Sequence, residues 1–525
     1  MVSLTQRLST RYDSASEPGY SGLIALFVLI GLLLRFYLLA RPGHLFGITE
    51  YDDGVYFGAS FRLIEGVIPY RDFVLVQPPG IAVLLTPIAF ISKAIGTAHG
   101  LAIARIVTVL TDSASIALVG LILRWRGRIA VGAACAVMAL YSPAIASSQT
   151  VLLEPYLNFF CLLALYLCFD GSRFRSSYAA LFFGGVLFGV AGSIKAWAIV
   201  PVLVVLALMV ATFNPLGENI RKLSSFAFGV VLGFAFFALP FILLAPKAFL
   251  RQVITAQITR VPGQRIDLQF RVREITGADP LIRLFGHAGT VTAVLSLALV
   301  VLFVVAVIKI LMERSSFTIF ASATAVLVCL TLLWPSDFYY HYADFIAPYL
   351  AMTIAIAVSA PRLGGFRLRR DHLSRPVFLT SAVLVSFLLV LSFAYESTIG
   401  PAPQPKKFSE RLFPKGSCVL TDQVSLTLAA DRFYPVSQKC PKIVDPFGTA
   451  LALSGGRTID GGAGLDPAVV SSWLSALKEA EYVWLSSQSY RRVPSSDSIN
   501  SYFATNFRAL ASLGPGLGRV YERIP

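Results

Sequence analysis

Two adjacent carboxylates, Asp52 and Asp53, follow the first long apolar stretch of the chain, and Tyr56 comes four residues after Asp52. Four residues make about one helical turn, so this spacing predicts the tyrosine hydroxyl beside the first carboxylate. A carboxylate held in this way can act as a general base toward a hydroxyl group. We therefore take Asp52 as the candidate base and Asp53 as a second catalytic candidate. The alternative for Asp53 is that it caps the helix that begins here.

The same stretch, residues 51–80, continues with an Arg71–Asp72 pair and a rigid Pro78–Pro79. Polar groups of this density beside a membrane span usually mark a functional site. The alternative is an ordinary hydrophilic connection, which would need neither paired acids nor a fixed backbone. Arg71 is a candidate for binding an anionic substrate.

The whole chain is apolar: of its 525 residues, 56% are hydrophobic and 14% are charged. This composition excludes a water-soluble globular protein and is typical of a multi-pass membrane protein. The formal net charge of +15 lies in short basic clusters between apolar runs, which is how cytoplasmic loops are marked, so nucleic acid is not predicted as a partner. The histidines are isolated and lack metal-ligand spacing. No cofactor is therefore predicted, and a divalent metal is left open.

Apolar runs predict an all-α domain of about eleven membrane-spanning helices over residues 21–395, in the plasma (inner) membrane. All the basic clusters face the cytoplasm only if residues 1–20 are cytoplasmic and segment 79–97 does not cross. That segment contains prolines and glycines, so we expect it to lie at the outer surface. The predicted spans are residues 21–40, 101–123, 129–146, 155–169, 178–194, 196–212, 225–245, 289–312, 317–334, 342–360 and 377–395.

This orientation places the loops 41–100 and 246–288 outside the cell. The second of these loops contains seven Lys and Arg residues against three acids, an excess that an anionic ligand would explain. Arg265 and Arg271 are its candidate contacts to such a ligand. Three further polar residues fall where apolar spans meet the same face, namely Glu154, Lys195 and His341. Lys195 could instead reach the interface as an ordinary amphipathic side chain, and His341 could belong to an aromatic belt.

A Pro-rich linker, residues 396–409, leads to a segment of different composition, residues 410–525. Short apolar stretches separated by Gly and Pro predict a small soluble domain of the α/β or α+β class, outside the cell. Its Cys418 and Cys440 are the two cysteines in polar sequence, and an oxidising compartment favours a disulfide between them over two buried thiols. We expect this domain to guide the acceptor or a partner rather than to perform chemistry.

The order of these features resembles that of the GT-C membrane glycosyltransferases. The resemblance is strongest to the branch that contains protein O-mannosyltransferases, lipid A aminoarabinose transferases and actinobacterial polyprenyl-phosphate-mannose transferases. In that branch an Asp followed by an acid opens the first external loop with Tyr four residues later, as in Asp52, Asp53 and Tyr56. The family's Pro-Pro corresponds to Pro78–Pro79. Its later acid and lysine correspond to Glu154 in LLEPYLNFF and Lys195 in GVLFGVAGSIKAW.

The resemblance implies transfer of a monosaccharide, hexose or pentose, from a polyprenyl-phosphate-linked donor to a glycan, lipid or protein acceptor outside the cell. One position departs from the family. Relatives often have a lysine directly before the Pro-Pro, in contact with the lipid phosphate, and this chain has Gln77. Arg71, Lys195 or an arginine of loop 246–288 would then have to supply the charge. The alternative function is a transporter or flippase of a lipid-linked or anionic substrate, which would show inverted repeats.

Overall fold

The computed structural model describes residues 18–212, 218–261, 265–359, 362–363, 366–367, 375–435 and 437–525. Most of the predicted cytoplasmic N-terminus and part of the basic cluster between residues 362 and 375 lie outside the described residues. The first part of the chain is helical, because the backbone N–H and C=O groups of an apolar segment within the membrane can pair with one another in a helix.

Seventeen helices of this part are labelled here in chain order, and shorter turns are named where they are needed. They are α1 (Pro18–Leu39), α2 (Asp52–Ile64), α3 (Gly80–Leu84), α4 (Thr86–Ile95), α5 (Thr97–Leu123), α6 (Arg128–Leu140), α7 (Ser142–Ser148), α8 (Leu153–Cys168), α9 (Tyr178–Ile194), α10 (Ile199–Thr212), α11 (Glu218–Leu244), α12 (Leu268–Thr276), α13 (Asp279–Phe285), α14 (Ala288–Glu313), α15 (Ser316–Leu333), α16 (Ala347–Val358) and α17 (Arg375–Ser397).

Six helices in the described part of the chain are long and apolar enough to cross a membrane, and the α6–α7 pair, bent by 53°, is a candidate seventh. The protein is thus a multi-pass membrane protein. The predicted count of about eleven spans is not confirmed. Helices α8, α9 and α10 are apolar but fall short of the usual spanning length of ~20 residues.

Segment 79–97, expected at the outer surface, forms the short helices α3 and α4 rather than one long helix. These helices have 5 and 10 residues. Neither is long enough to cross a bilayer. α3 packs against α9, so the rigid Pro78–Pro79 turn lies next to the end of the helix that precedes Lys195.

Close packing of α9 against α11 sets the position of Lys195. Glycines at the contact let the two backbones approach, and a Cβ at Gly189 would overlap the carbonyl of Val230 on α11. Small residues are the usual means of bringing two helices together in a membrane. α9 ends at Ile194, so the lysine enters extended backbone directly after this rigid pair.

The C-terminal domain contains a four-stranded mixed sheet of β5 (Val419–Thr421), β6 (Tyr482–Leu485), β7 (Phe507–Gly514) and β8 (Gly518–Arg523), in the order β5–β6–β8–β7, covered by helices. Strand β5 is parallel to β6, and the other neighbours are antiparallel. Cys418 and Cys440 form the predicted disulfide. Two-residue strands form hairpins earlier in the chain, β1 (Phe169–Asp170) with β2 (Arg173–Phe174) and β3 (Arg362–Leu363) with β4 (Phe366–Arg367). The elements of this domain are α18 (Lys406–Leu412), β5 (Val419–Thr421), α19 (Val424–Ala429), α20 (Pro446–Leu453), α21 (Pro467–Glu479), β6 (Tyr482–Leu485), α22 (Asp497–Asn506), β7 (Phe507–Gly514) and β8 (Gly518–Arg523).

The C-terminal domain docks directly on α2, the helix that begins with the paired acids. A Cβ at Gly54 would overlap the backbone of Ser425 on α19, so the two helices are in backbone contact there. One hydrophobic core includes Phe57 and Phe61 of α2 together with Val424 and Leu428 of α19. Burial of such side chains contributes roughly 1.5–3 kcal/mol each, so the domain and the helix are packed as one body.

Candidate active site

Asp52 is the first residue of α2, and 31% of its side chain is exposed. The hydroxyl of Tyr56, one turn later, lies 3.5 Å from the Asp52 carboxylate, as the four-residue spacing predicts. Free backbone N–H groups and the helix dipole favour negative charge at this end of a helix. A substrate hydroxyl can therefore reach a carboxylate that is held in place but not enclosed.

Three predicted residues from separate helix ends meet beside Asp52. Glu154 lies in the first turn of α8, Lys195 directly follows α9, and His341 belongs to the 3₁₀ turn Tyr340–Ile346. Lys195 Nζ lies 2.5 Å from one oxygen of Glu154, and His341 Nδ1 lies 2.9 Å from the other. His341 Nε2 faces Asp52 at 3.8 Å. A continuous chain of charged groups thus runs from Lys195 through Glu154 and His341 to Asp52.

The contact with Glu154 determines how His341 presents its ring to Asp52. A carboxylate paired with an ammonium group can only accept hydrogen bonds. Nδ1 of His341 therefore carries a proton and donates a hydrogen bond to Glu154. Nε2 is then left to face Asp52, and it forms an ion pair with that carboxylate when it is protonated. Glu154 thereby fixes the orientation of the imidazole, and the imidazole places its other nitrogen beside Asp52.

The surroundings of Asp52 shift its titration toward neutral pH. Burial is the largest cause and raises the pKa of Asp52 to about 7, an effect that the neighbouring carboxylates Glu50, Asp445 and Glu154 increase and that the charge of His341 opposes. General bases work best when their pKa lies near the working pH. The raised pKa of Asp52 therefore suits this carboxylate to the role of a base.

Lys195 is buried, and aromatic rings surround its ammonium group. Its Nζ lies 3.6 Å from the ring centroid of Trp197 and 4.0 Å from that of Tyr342. The ring faces attract a cation and replace part of the hydration that the buried ammonium loses. The sequence left open the alternative that Lys195 extends to the membrane interface. Its buried ammonium group, enclosed by aromatic rings, does not fit that alternative.

Asp53 has a different environment from its neighbour. It is fully buried, with Oδ2 2.5 Å from Arg105 and 2.7 Å from the hydroxyl of Thr150. Arg105 also donates to carbonyls of the loop that leads into α2, including Gly47 O at 2.9 Å. Asp53 thus anchors the N-terminal end of α2 to α5. The alternative role of helix cap is not observed, since α2 has no side-chain cap hydrogen bond.

Four other predicted residues lie outside this cluster. Arg71 is half exposed and pairs with its neighbour Asp72 at 2.8 Å. Gln77 is partly buried, and its carbonyl accepts a hydrogen bond from Tyr70 at 2.7 Å. Arg265 is exposed. Arg271 is buried and donates to three backbone carbonyls, those of Ile266, Leu332 and Ser336, so its guanidinium holds the loop together.

The arginine of loop 246–288 that lies beside the cluster is Arg260, which the sequence prediction missed. Its side chain pairs with Asp337 at 2.5 Å and donates to the Tyr339 hydroxyl at 3.2 Å. The Tyr339 ring in turn stacks on His341, with 5.9 Å between the centroids. The loop charge excess pointed to an arginine here, but it did not distinguish Arg260 from the loop's other arginines.

The C-terminal domain also supplies residues to the site, and no sequence signal identified them. Asp445 accepts a hydrogen bond of 2.8 Å from the hydroxyl of Tyr51, the residue before the candidate base. Arg492 stacks over the Tyr51 ring at 4.0 Å. On the other side Glu50 accepts from Tyr340 at 3.1 Å, so both residues before Asp52 are held from outside α2.

The fold of the chain is similar to that of solved membrane glycosyltransferases. ArnT from Cupriavidus metallidurans, solved bound to undecaprenyl phosphate, superposes with a TM-score of 0.57 over 96% of this chain and 98% of its own, at 15% identity. AglB, an oligosaccharyltransferase from Archaeoglobus fulgidus solved with an inhibitory peptide and a dolichol-phosphate, gives 0.53 over 89% of this chain and 69% of its own, at 11% identity. The chain has a GT-C glycosyltransferase fold. The resemblance predicted from the sequence is confirmed.

Residues 90–251 of this GT-C chain also match the family model described as dolichyl-phosphate-mannose-protein mannosyltransferase. That region includes Glu154 and Lys195 and lies after Asp52. No curated protein matches the chain by sequence comparison. Within the described residues no group of three or more His, Cys, Asp and Glu side chains is arranged to hold a metal ion.

Proposed function

We propose that this protein is a membrane glycosyltransferase that moves a monosaccharide from a polyprenyl-phosphate donor to an acceptor hydroxyl at the extracytoplasmic face of the plasma (inner) membrane. The observation on which this rests is the chain of charged groups that links Lys195, Glu154, His341 and Asp52, where three helix ends meet the turn Tyr340–Ile346. The GT-C fold supports the same reaction class.

Asp52 is the proposed general base. Its carboxylate takes the proton of the acceptor hydroxyl while the oxygen attacks the anomeric carbon of the donor sugar, and the bond from that carbon to the phosphate oxygen breaks. His341 stays beside the carboxylate and offsets its charge. The hydroxyl of Tyr56 donates to the Asp52 carboxylate and so orients that carboxylate toward the acceptor hydroxyl. A positioned base of this kind contributes about 10²–10⁴-fold in rate.

The departing group is a lipid phosphate, which needs positive charge as it leaves. Lys195 and Arg260 are the proposed cations, because they lie on two sides of the Tyr339–Tyr342 turn that presents His341. Arg71, Gln77 and Arg265 remain proposed contacts at the outer edge of the donor site. For Asp53 and Arg271 we propose positioning roles, since the partners of each belong to the scaffold.

Two solved relatives of the fold support a polyprenyl-phosphate donor. ArnT was solved with undecaprenyl phosphate and AglB with a dolichol-phosphate. Both ligands place a phosphate at the end of a long isoprenoid chain. A site at helix ends beside apolar helices suits such a molecule, because its tail can stay in the lipid while its phosphate meets the cations.

The test is direct measurement of transfer by the purified protein in detergent. Polyprenyl-phosphate donors carrying single radiolabelled hexoses and pentoses are mixed with an extract of cell-envelope acceptors, and free polyprenyl phosphate is quantified by chromatography. We expect release that depends on acceptor and falls at least 100-fold in Asp52→Asn. The proposal is rejected if no donor is consumed while the protein, reconstituted in vesicles, moves lipid-linked sugars between leaflets. That outcome would favour a flippase.

A further inference from the structure

A cavity of about 220 Å³ lies next to the Asp52 cluster and plays no part in the chemistry proposed above. It is lined by the C-terminal ends of α1 and α17 and by residues of α7, α12 and α13. Tyr340 separates it from the reaction centre, because this side chain lines the cavity and its hydroxyl donates to Glu50, two residues before Asp52. Tyr340 therefore connects the cavity wall to the segment that leads into the candidate base.

The cavity wall contains a buried carboxylate without a partner. Glu396, near the end of α17, is 2% exposed, and neither of its oxygens has a hydrogen-bond partner among the described residues. The arginines whose charge reaches it have other partners: Arg35 pairs with Asp112 at 2.5 Å, and Arg41 donates to the carbonyls of Ser397 and Ile399. A buried polar group left unpaired costs about 1–3 kcal/mol, and more when it is charged. Glu396 thus offers two oxygens to hydrogen-bonding groups of a molecule that enters the cavity.

The rest of the wall mixes hydrogen-bonding and apolar side chains. Glu274 and Asp279 are both bridged by Arg273, so their charges are partly offset, and Arg283 donates to the carbonyl of Thr398. Leu38, Ile145 and Pro280 provide apolar surface between these groups. A purely cationic ligand would be repelled by Arg283, which lines the cavity together with the acids. A hydroxyl-rich ring suits the mixture, since its hydroxyls donate to carboxylates and its C–H face packs on apolar side chains.

We propose that this cavity binds one sugar unit of a glycan acceptor and that the neighbouring unit of the same glycan presents its hydroxyl to Asp52. This inference rests on the proposed function and adds the class of acceptor. The cavity volume of about 220 Å³ leaves room for a sugar ring. Glu396 is the residue that identifies the ring by its hydroxyls.

The test measures occupancy of the cavity without donor and without transfer. Ala146, which lines the cavity, is changed to cysteine, and its modification by a small methanethiosulfonate reagent is followed by intact mass, with the parent protein as background. The protein is kept in a polyoxyethylene detergent, which has no sugar headgroup. Methyl α-mannopyranoside, methyl α-glucopyranoside and methyl α-galactopyranoside are each added at about 100 mM, because single-ring ligands bind weakly.

We expect at least one of the three glycosides to slow modification of Ala146→Cys fivefold or more. Adding Glu396→Gln should remove this protection, whereas Glu410→Gln, a matched change of an exposed acid, should leave it intact. Lack of protection by all three glycosides, or protection that persists in Glu396→Gln, overturns the proposal. Because no donor is present, these results are independent of whether the protein transfers sugar, so the two proposals can fail separately.

Discussion

Asp52 and Asp53 are neighbours in sequence with different environments. Successive residues of a helix point about 100° apart, so one carboxylate faces the site while the other faces α5. Asp53 is enclosed with Arg105 and Thr150, whereas Asp52 keeps an exposed edge and a histidine at ion-pair distance. An acidic pair in sequence is thus one candidate base and one structural anchor.

Substitution of each acid should separate these roles. Asp52→Asn is expected to lower kcat by about 10²–10⁴-fold and leave donor binding largely unchanged. Since burial opposes ionisation of Asp52, this variant should be at least as stable as the parent at pH 8. Asp53→Asn leaves Arg105 buried without its carboxylate, so it should destabilise the fold by roughly 3–5 kcal/mol. Turnover and thermal unfolding of both variants check this, and near-normal kcat in folded Asp52→Asn would reject the base.

The pH profile should report the titration of Asp52. A base must be ionised, and the raised pKa of about 7 predicts that kcat/KM falls tenfold per unit below this pH. The charge of His341 opposes the rise in the pKa of Asp52, so His341→Gln should move this limb to higher pH. His99→Gln, a change of an exposed histidine elsewhere, serves as the control. A limb that moves to lower pH in His341→Gln would contradict the electrostatic account.

The buried Lys195–Glu154 pair gives a double-mutant cycle. Lys195→Met leaves Glu154 in the core without its ammonium partner, which should cost roughly 3–5 kcal/mol of stability. Adding Glu154→Gln removes the uncompensated charge and should restore most of the unfolding free energy. Activity should stay low in both variants, because the double mutant lacks the cation and the carboxylate that holds His341. Recovery of activity along with stability would show that the pair is only structural.

At the scale of elements, the site is built from helix ends. α2, α8 and α9 each place one charged residue at or beside a terminus, and the turn Tyr340–Ile346 adds His341. Helix ends have unsatisfied backbone groups and can face an aqueous compartment, so charged side chains cost less there than in the middle of a span. The packing of α9 on α11 and α3 holds these ends in register.

The position of the short helices α3 and α4 determines the predicted orientation of the whole domain in the membrane. If they lie at the outer surface, a cysteine at His99, which is exposed at the start of α5, should react with an impermeant maleimide applied from outside intact cells. Arg221→Cys, in a predicted cytoplasmic cluster, should react only after the cells are opened. Labelling of the His99→Cys protein solely from the cytoplasmic side would give the chain a further crossing and reverse the topology.

At the scale of the whole molecule, the C-terminal domain packs on α2, the helix that begins with the candidate base. Asp445 and Arg492 hold Tyr51, and the side chains of Gln423 and Ser425 donate to the Glu50 carbonyl. The predicted role of the domain, to guide the acceptor rather than to perform the transfer, stays a prediction. These contacts give it a further role, which is to position the turn before Asp52.

The disulfide should support this arrangement. Cys418 and Cys440 are 22 residues apart, and the chain-entropy model assigns a loop of this size roughly 3 kcal/mol. The Cys418→Ser/Cys440→Ser protein should therefore unfold at lower temperature and lose activity on warming before the parent does. Cys135→Ser, which removes a buried free thiol, is the control. Equal melting temperatures with and without the bridge would show that docking alone stabilises the domain.

The sequence alone determined those features of the protein that depend on local spacing and composition. Apolar runs and basic clusters predict a multi-pass helical protein, one turn of helix brings Tyr56 to Asp52, and two cysteines in polar sequence predict a bridge. Each of these follows from a few neighbouring residues or from average hydrophobicity, so no knowledge of packing is needed.

Only the tertiary structure decided which distant residues join the site. Arg260 rather than Arg265 or Arg271 lies beside His341, because the fold of a long loop is determined by its packing and not by its charge. Asp445 comes to Tyr51 from almost four hundred residues away, by the docking of one domain on another. The cavity at Glu396 lies between α1 and α17, which are more than three hundred residues apart in the chain. Contacts over such separations depend on the packing of the whole chain, which no local pattern records.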